Sequence, residues 1–528
     1  MSRIGHGTVI KVSTVQVARA AVAASGEPIA NAFVAGAPGD LQRFDYLFGA
    51  LQNDPAMLLE VGQKTRDDLV RLGKTMQESG PAMDDPAGDS GIPAAYTYLG
   101  QFIDHDVTLE AASADLPDLL SLGLQPFSLA DARALLKNAR TGTLDLDSVY
   151  GVPAPRFGND LIVGKVSETG SSVSPKARPP GKSDDNDLPR EPRNADSTRD
   201  RAALIGDPRN DENTIVSQLH TAFLRAHNAI VETGKTFDEA RTILRQHYQH
   251  IVIHDFLKRI VDPTVVNDIL QNGNKLYDAM LEPFFLPLEF SGAAYRFGHT
   301  MIRGNYNFNL NFNRRPGGIP ASLDLLFTFS ALSGQLGFPD NDFDTLPENW
   351  IIEWPEVLGL KAEKARKLDT RLVEPLFALR TVTGAPELGD GARLAVRNLL
   401  RGYLLRMPTG QAVASAMGVA PLTPAEIEAV AATVPAAPGQ ESQLTVIVDS
   451  GFTKRTPLWY YVLAEAAAQG RGERLGRVGG TLVAEVLIGL VRRSEDSILR
   501  TPGWVPTLRS ATPGLFELAD LLTVARVL

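Results

Sequence analysis

The 528-residue chain contains no cysteine. Disulfides, thiolate nucleophiles, zinc ribbons and iron–sulfur clusters are excluded together, so any metal must be held by imidazole, carboxylate or other oxygen ligands. Histidine is scarce: eight residues, at positions 6, 105, 220, 227, 247, 250, 254 and 299, each of which can be weighed singly. Long apolar runs are missing too. The most apolar late stretch, Thr481 to Val491, is short and carries Glu485, well under the roughly 20 residues a bilayer crossing needs. No membrane span is expected. Arg3 and Lys11 are not followed by an uninterrupted apolar region with a small-residue cleavage site, so no Sec-type signal is evident. The compartment stays open between the cytoplasm and secretion by a non-classical route. Basic charge is not in excess either: Lys+Arg 52 against Asp+Glu 62 leaves a net charge of −10. That balance argues against a nucleic-acid partner, which would require clustered basic residues to displace counterions.

What is present has globular proportions, with 44% hydrophobic and 22% charged residues, so global disorder is excluded. Residues 1–54 have weak periodicity and read as an irregular arm. From Ala56 to Gln77 the apolar spacing becomes helical, with Met57, Leu58, Val61, Leu69, Val70 and Leu72 separated by charge. Residues 1–90 are therefore taken as an N-terminal arm with a leading helix, and 91–528 as the main domain. Asp211 to Val261 reads as two helices interrupted near Gly234 and Lys235. Further helical patterns fit Leu288–Ile302, Ala392–Leu405, Pro424–Thr433, Leu458–Gln469 and Gly480–Arg493. Strand signals are few, the clearest being Leu444–Val448. Residues 167–200, rich in proline, serine and charge without periodicity, read as a long surface loop. The fold class is mainly α, with long loops and little β.

Chemistry first stands out in Tyr96-Thr-Tyr-Leu-Gly-Gln-Phe-Ile-Asp-His-Asp106. At about 100° per residue, Gln101, Asp104 and His105 fall in one arc, while Leu99, Phe102 and Ile103 occupy the other side. An apolar face seats such a helix in the core. Burying an amide, a carboxylate and an imidazole on the opposite face is costly unless something receives them.

This stretch resembles the distal-helix motif of the animal-type haem peroxidases, in the peroxidase–cyclooxygenase superfamily. Other motifs of that family follow in order. Leu204-Ile-Gly-Asp-Pro-Arg209-Asn-Asp-Glu212 resembles the catalytic-arginine segment, and Gln218 to Asn228 the helix after it. Ala293-Ala-Tyr-Arg296-Phe-Gly-His299 resembles the proximal segment and Arg397-Asn398-Leu-Leu-Arg401 the one behind it. The resemblance, of bacterial type, implies one large helical haem peroxidase domain that reduces hydrogen peroxide and oxidises small anionic or aromatic donors such as halide, thiocyanate or phenols.

The same resemblance assigns roles. His105 is the proton shuttle, a task for which imidazole is suited because it titrates near neutrality. Arg209 supplies permanent positive charge, and Gln101 orients water or a small anion. Asp104 and Glu212 stand where relatives form ester bonds to haem b. Asn213 follows, where some relatives carry a methionine that forms a further link, so that link is absent and efficient chloride oxidation is in doubt. His299 is the iron ligand, its second nitrogen held by Asn398, while Arg296 and Arg401 pair with the haem propionates. On bare spacing, Arg209 and Glu212 at i, i+3 would share a helical face.

Asp106 lies about 100° around the helix from His105 and needs a different partner. Thr141-Gly-Thr143-Leu-Asp145-Leu-Asp147 presents oxygen groups at alternating positions, a pattern that can wrap a hard cation. It resembles the family's calcium loop, with Asp106 completing a site made of Thr141, Thr143, Asp145 and Asp147. The remaining histidines carry less. His220 and His227 read as structural, and His247, His250 and His254 at i, i+3, i+7 suit at most a surface metal patch. Two alternatives remain open. One is a fatty-acid dioxygenase or cyclooxygenase-like enzyme, although such enzymes place a tyrosine three residues before the proximal histidine, where this chain has Arg296 and only Tyr295 adjacent. The other is a non-catalytic peroxidase-like binding or adhesion module.

Overall fold

The computed structural model describes residues 10–11, 41–78, 85–151, 155–169, 178–195, 199–328, 343–379, 387–436 and 439–528. The architecture is mainly α, with one five-stranded mixed sheet and four two-stranded pairs among the described residues. Taken along the chain, the elements that position the site are β1 (Ile10–Lys11), β2 (Gln42–Asp45), α1 (Gln63–Thr75), α2 (Ala95–Val107), β3 (Glu110–Ala112) and β4 (Leu136–Asn138). Then come α3 (Thr214–Val231), α4 (Phe237–Ile251), β5 (Phe285–Pro287), α5 (Leu394–Leu404), α6 (Gln443–Asp449), α7 (Leu458–Gly470) and α8 (Arg477–Arg493). Among the described residues no helix is long and apolar enough to cross a membrane.

The sheet runs β1-β3-β4-β2-β5. β4 pairs antiparallel with both β3 and β2, and the outer strands β1 and β5 pair parallel with β3 and β2. The stretch expected as an irregular arm therefore contributes β2, whose Phe44 is fully buried and opposes Leu286. α1 packs on α5, so the leading helix shares the core that holds the site.

α2 sits at the centre. Leu99, Phe102 and Ile103 are fully buried, each stabilising by about 1.5–3 kcal/mol relative to exposure. Phe102 stacks on Phe223 of α3 at 4.7 Å between ring centroids and meets Tyr248 of α4 edge-on at 6.1 Å. α4 runs on through a π-helical turn, Val252–Phe256, whose Phe256 ring lies where a Cβ at Gly100 would be only 3.2 Å away. A side chain at position 100 would require that ring to give by a few tenths of an ångström.

Three expectations are corrected. Leu444–Val448 is helix α6, not a strand: the Ser442 hydroxyl accepts from the Thr445 N–H at 3.0 Å and caps it, and buried Val446 and Ile447 face α1 while Val448 is 48% exposed. The run of β-branched residues suggested a strand, and tertiary packing overrode that weak preference. Leu288–Ile302 is not one helix but a short turn, Leu288–Ser291, and a 3-10 segment, Ala294–Met301, with Gly292 between them packed on Met407. The 167–200 stretch is not a surface loop throughout. Asn186, Asp187 and Leu188 are buried, and the Arg190 guanidinium lies between Asp187 and Asp211 at 2.8 and 2.7 Å. Residues 170–177 and 196–198 of that stretch lie outside the described residues.

Candidate active site

α2 carries Gln101, Asp104 and His105 on one side, as its 100° spacing requires. His105 is fully buried, and its Nδ1 lies 2.8 Å from Asn210 Oδ1. The Asn210 Nδ2 lies 2.9 Å from Nδ1 of His220, a buried histidine of α3 whose pKa desolvation pushes down to about 3. The two imidazoles are thus joined through one amide.

Arg209 does not reach along a helix face to Glu212. Pro208–Asp211 is a 3-10 turn capped by Asp207, whose carboxylate accepts from the Arg209 N–H at 2.9 Å. The Arg209 guanidinium folds back on the same carboxylate, with Nη2 at 2.6 Å and Nε at 3.1 Å, and donates to the carbonyl oxygens of His105 at 3.2 Å and Thr108 at 2.5 Å. Arg140, fully buried, grips Asp207 from the other side. Burial opposes the Asp207 charge, but Arg140 and Arg209 overcome it and hold the carboxyl well below the usual carboxylate range. Glu212 instead accepts from the Gln101 amide, and Asn213 Nδ2 donates to Gln101 Oε1 at 3.1 Å. Asp104 is raised by burial, with Arg209 and Arg296 pulling the other way, and its Oδ1 accepts from the Thr108 hydroxyl at 3.0 Å.

That opposing pull brings in the second half of the site. His299 lies on the 3-10 segment Ala294–Met301, its Nδ1 2.8 Å from Asn398 Nδ2 of α5. The Asn398 oxygen is taken by Arg296 Nη1 at 3.1 Å, so the amide presents its nitrogen to His299, the reverse of the orientation expected from the sequence. Trp459 of α7 donates to the Arg296 carbonyl at 3.2 Å, and the Tyr295 hydroxyl donates to the Gly100 carbonyl at 3.2 Å, tying this segment to α2. One turn beyond Asn398, Arg401 pairs with Glu110 of β3 at 2.8 Å. A cavity of about 430 Å³ opens here, its walls including Glu110, Arg296, Asn398 and Arg401, while His105, Gln101 and Glu212 are not among its lining residues.

The oxygen-rich loop also comes together. The Thr141 hydroxyl lies 2.9 Å from that of Thr143, which donates to Asp145 Oδ2 at 2.7 Å, and the Thr141 N–H donates to Asp147 Oδ2 at 3.2 Å. Asp106 reaches the loop from α2, its Oδ2 accepting from the Leu146 N–H at 3.2 Å while its buried Oδ1 has no hydrogen-bond partner. Leu146 adopts φ +60° although fully buried, a conformation costing a branched side chain roughly 1–2 kcal/mol. Burial, then Asp145 and Asp147, push Asp106 well up, and burial with Asp145 pushes Asp147 up to about 7. Among the described residues no three His, Cys, Asp or Glu side chains converge at metal-binding spacing; the donor set here is mixed, with two threonine hydroxyls beside the carboxylates.

Of the other histidines, His227, His247 and His250 are held by neighbouring chain groups, and His254 is half-buried with its ring 4.4 Å from that of His250. His227 bonds Tyr150 at 2.9 Å and the Asn159 carbonyl at 3.0 Å. His247 and His250 are buried, not on a surface patch: His247 Nδ1 meets the Ile243 carbonyl at 2.7 Å while its Nε2 accepts from the Thr507 and Leu508 N–H groups, and His250 Nδ1 meets the Phe516 carbonyl at 3.1 Å. His6 lies outside the described residues. Asn210, Arg140 and Glu110 were not singled out from the sequence, and His220 was read there only as structural. Only Asn210 had a signal there, its place inside the arginine motif.

Residues 132–331 match the family described as animal haem peroxidase. That stretch of the chain is similar to an animal haem peroxidase domain. A curated relative, a peroxidase-like protein of Margaritifera margaritifera, is 27% identical over 311 residues, 49% of this chain and 36% of that protein. The matched region is thus well under half of the relative's length. Among solved structures, peroxidase A of Dictyostelium discoideum superposes with a TM-score of 0.55 at 15% identity, covering 92% of this chain and 93% of that one. A fatty acid alpha-dioxygenase of Oryza sativa superposes at 0.53 with 14% identity, covering 92% and 78%. These likenesses show the fold. The family match spans the Thr141–Asp147 loop, the Arg209 segment and the His299 segment.

Proposed function

We propose that the chain is a haem peroxidase that reduces hydrogen peroxide and oxidises small donors, halide, thiocyanate or phenolic, with His299 as the iron ligand. The observation that carries this reading is the hydrogen bond of 3.2 Å from the Tyr295 hydroxyl to the Gly100 carbonyl, which ties the His299 segment to the helix of Gln101, Asp104 and His105. Two histidines, each with its Nδ1 engaged by an asparagine amide, stand on these two joined elements.

The residues present fit a haem. His299 offers an imidazole with its second nitrogen engaged, and Arg296 and Arg401 line a cavity with guanidinium groups suited to propionates. Asp104 and Glu212 are the carboxylates available for ester links. Bound haem supplies the redox-active iron over which the O–O bond of peroxide is broken. His105 takes a peroxide proton and returns it to the leaving oxygen, and Arg209, permanently charged, offsets the negative charge that develops. His299 would hold the iron, and a proton kept on its Nδ1 would need the Asn398 oxygen, which Arg296 takes at 3.1 Å.

Calcium fits the loop beside α2. The orphaned Asp106 oxygen, the mutual repulsion of Asp106, Asp145 and Asp147, and the threonine hydroxyls form an oxygen set that a hard cation would satisfy. Residues 91–528 are proposed as the peroxidase domain, with 1–90 the arm and leading helix.

The deciding experiment is the absorbance spectrum of pure protein before and after peroxide addition, and again after acid-acetone extraction. A Soret band that shifts with peroxide supports the reading, and colour retained by the polypeptide supports ester links, assigned by Asp104→Ala and Glu212→Ala. A haem-replete protein whose Soret band is unmoved by peroxide would return the non-catalytic module. The dioxygenase-like structural neighbour sustains one second reading. Oxygen uptake with a fatty acid and no added donor would favour it, although Tyr295, the nearest tyrosine to the relevant place, is engaged with the Gly100 carbonyl.

A further inference from the structure

His105 can act as a base only if its Nε2 carries a lone pair. A neutral imidazole has one protonated and one free nitrogen, and whichever partner sits on Nδ1 decides which is which. Here that partner is an amide oxygen: Asn210 Oδ1 lies 2.8 Å from His105 Nδ1, and oxygen cannot donate. The amide is held in this sense at its other end, where Asn210 Nδ2 lies 2.9 Å from His220 Nδ1. His220 is fully buried against Phe102, edge to face at 6.1 Å. Desolvation keeps that ring neutral down to about pH 3, so it retains a lone pair for the amide throughout the working range.

We propose that Asn210, braced by His220, is a positioning residue that fixes the tautomer of His105, placing the proton on Nδ1 and leaving Nε2 free to take the proton of hydrogen peroxide. The proposal rests on the peroxidase reading for the purpose of the free nitrogen, but not for the tautomer itself. Neither Asn210 nor His220 touches peroxide in this scheme. The peroxide proton passes to His105 Nε2 and then to the leaving hydroxide, while the proton on Nδ1 stays shared with Asn210. Asn210 stands one residue after Arg209, so the 3-10 turn that anchors the guanidinium to Asp207 also delivers the amide to the histidine. One short turn thereby sets both the charge and the base.

The test uses the full chain, labelled with 15N in histidine only and loaded with zinc protoporphyrin so that the rings next to the metal remain visible by NMR. With eight histidines, His105→Gln and His220→Gln assign the two sets of ring signals. The expected result is a protonated Nδ1 and bare Nε2 for His105, and the opposite pair for His220. In Asn210→Leu the His105 signals collapse to a tautomer mixture, and the second-order rate of the iron-loaded protein with peroxide falls about 10–100-fold with donor KM unchanged. Asn210→Asp, whose carboxylate can still accept from Nδ1–H, recovers the tautomer and most of the rate. A wild-type His105 protonated on Nε2 would overturn the proposal without folding of any variant being at issue. So would an Asn210→Leu protein with unchanged His105 signals and rate. If the tautomers are as stated but the wild-type protein does not react with peroxide, the peroxidase reading fails and the tautomer lock stands.

Discussion

Replacing Asp207 by asparagine is the most severe single-atom-scale perturbation the distal side offers. Its carboxylate is fully buried between two guanidinium groups, Arg209 at 2.6 Å and Arg140, and holds both against loss of solvent. Asp207→Asn keeps the shape and removes the charge, leaving two buried cations uncompensated. Breaking a buried pair in this way costs about 3–5 kcal/mol. With unfolding entropy of about 2.1 cal/mol/K per residue over 528 residues, that corresponds to a fall in Tm of about 3–5 °C. Calorimetry is the assay, and pH 7 the place to do it. The folded carboxyl is depressed, so its stabilisation is fully present above the unfolded value near 3.9 and is lost only as pH falls below that toward the folded one. Asp207→Asn combined with Arg140→Met should recover at least about 1 kcal/mol, because one of the stranded cations goes with it. An Asp207→Asn protein melting within about 1 °C of wild type would refute the reasoning. It would mean that water reaches this cluster and that Arg209 is not anchored by it.

Glu289 behaves in the opposite sense: burial raises its carboxyl to about 7, even though the Leu47 and Phe48 N–H groups donate to it. Its stabilisation is full below the unfolded value near 4.3 and lost as pH rises toward 7, about 3–4 kcal/mol in all, so Glu289→Gln should flatten the stability–pH curve between those limits. Chemical denaturation at several pH values reads this directly, and parallel curves for the two proteins would count against it. Asn398→Ala removes the group beside His299 Nδ1 and should loosen haem about 10–100-fold, measured by transfer to apomyoglobin; unchanged transfer would mean that the amide does not orient the ligand. Calcium at 100 times its Kd should stabilise the chelated protein by about 2.7 kcal/mol, and Asp145→Asn should abolish most of that gain. Identical melting with and without the ion in a verified calcium-free protein would remove the site.

How much of this was legible in the sequence follows from how local each signal is. The helix that carries Gln101, Asp104 and His105 was visible because its apolar positions, Leu99, Phe102 and Ile103, recur at helical spacing. Asp207 and Arg209 stand two residues apart in the arginine motif, but their buried pairing was not visible, since Arg140 comes from 67 residues away. The amide bridge from His105 to His220 joins positions 105 residues apart on one side, and no periodicity reports such a contact. Leu444–Val448 misled because a β-branched run is also tolerated in a short capped helix that buries one side. In the 167–200 stretch, composition averages over positions and so hid Arg190, whose burial depends on Asp187 nearby and Asp211 further on.

The cation loop and the distal residues are not separate devices. Asp106, next in sequence to His105, reaches into the loop through the Leu146 N–H, so order in the loop bears on the orientation of α2 at the turn that carries the imidazole. The loop touches the arginine segment as well. A Cβ at Gly206 would collide with the Asp147 and Ser148 carbonyls and stand 2.9 Å from the Gly151 nitrogen, so the two backbones meet there without side chains between them. Gly206 is followed directly by Asp207, which anchors Arg209, and then by Asn210, which holds His105. An ion in the loop would therefore press on the imidazole along α2 and on its amide partner through Gly206 at once. Two short paths from one site converge on the same ring, which is why Asp106 and Gly206 should matter to His105 although neither touches it.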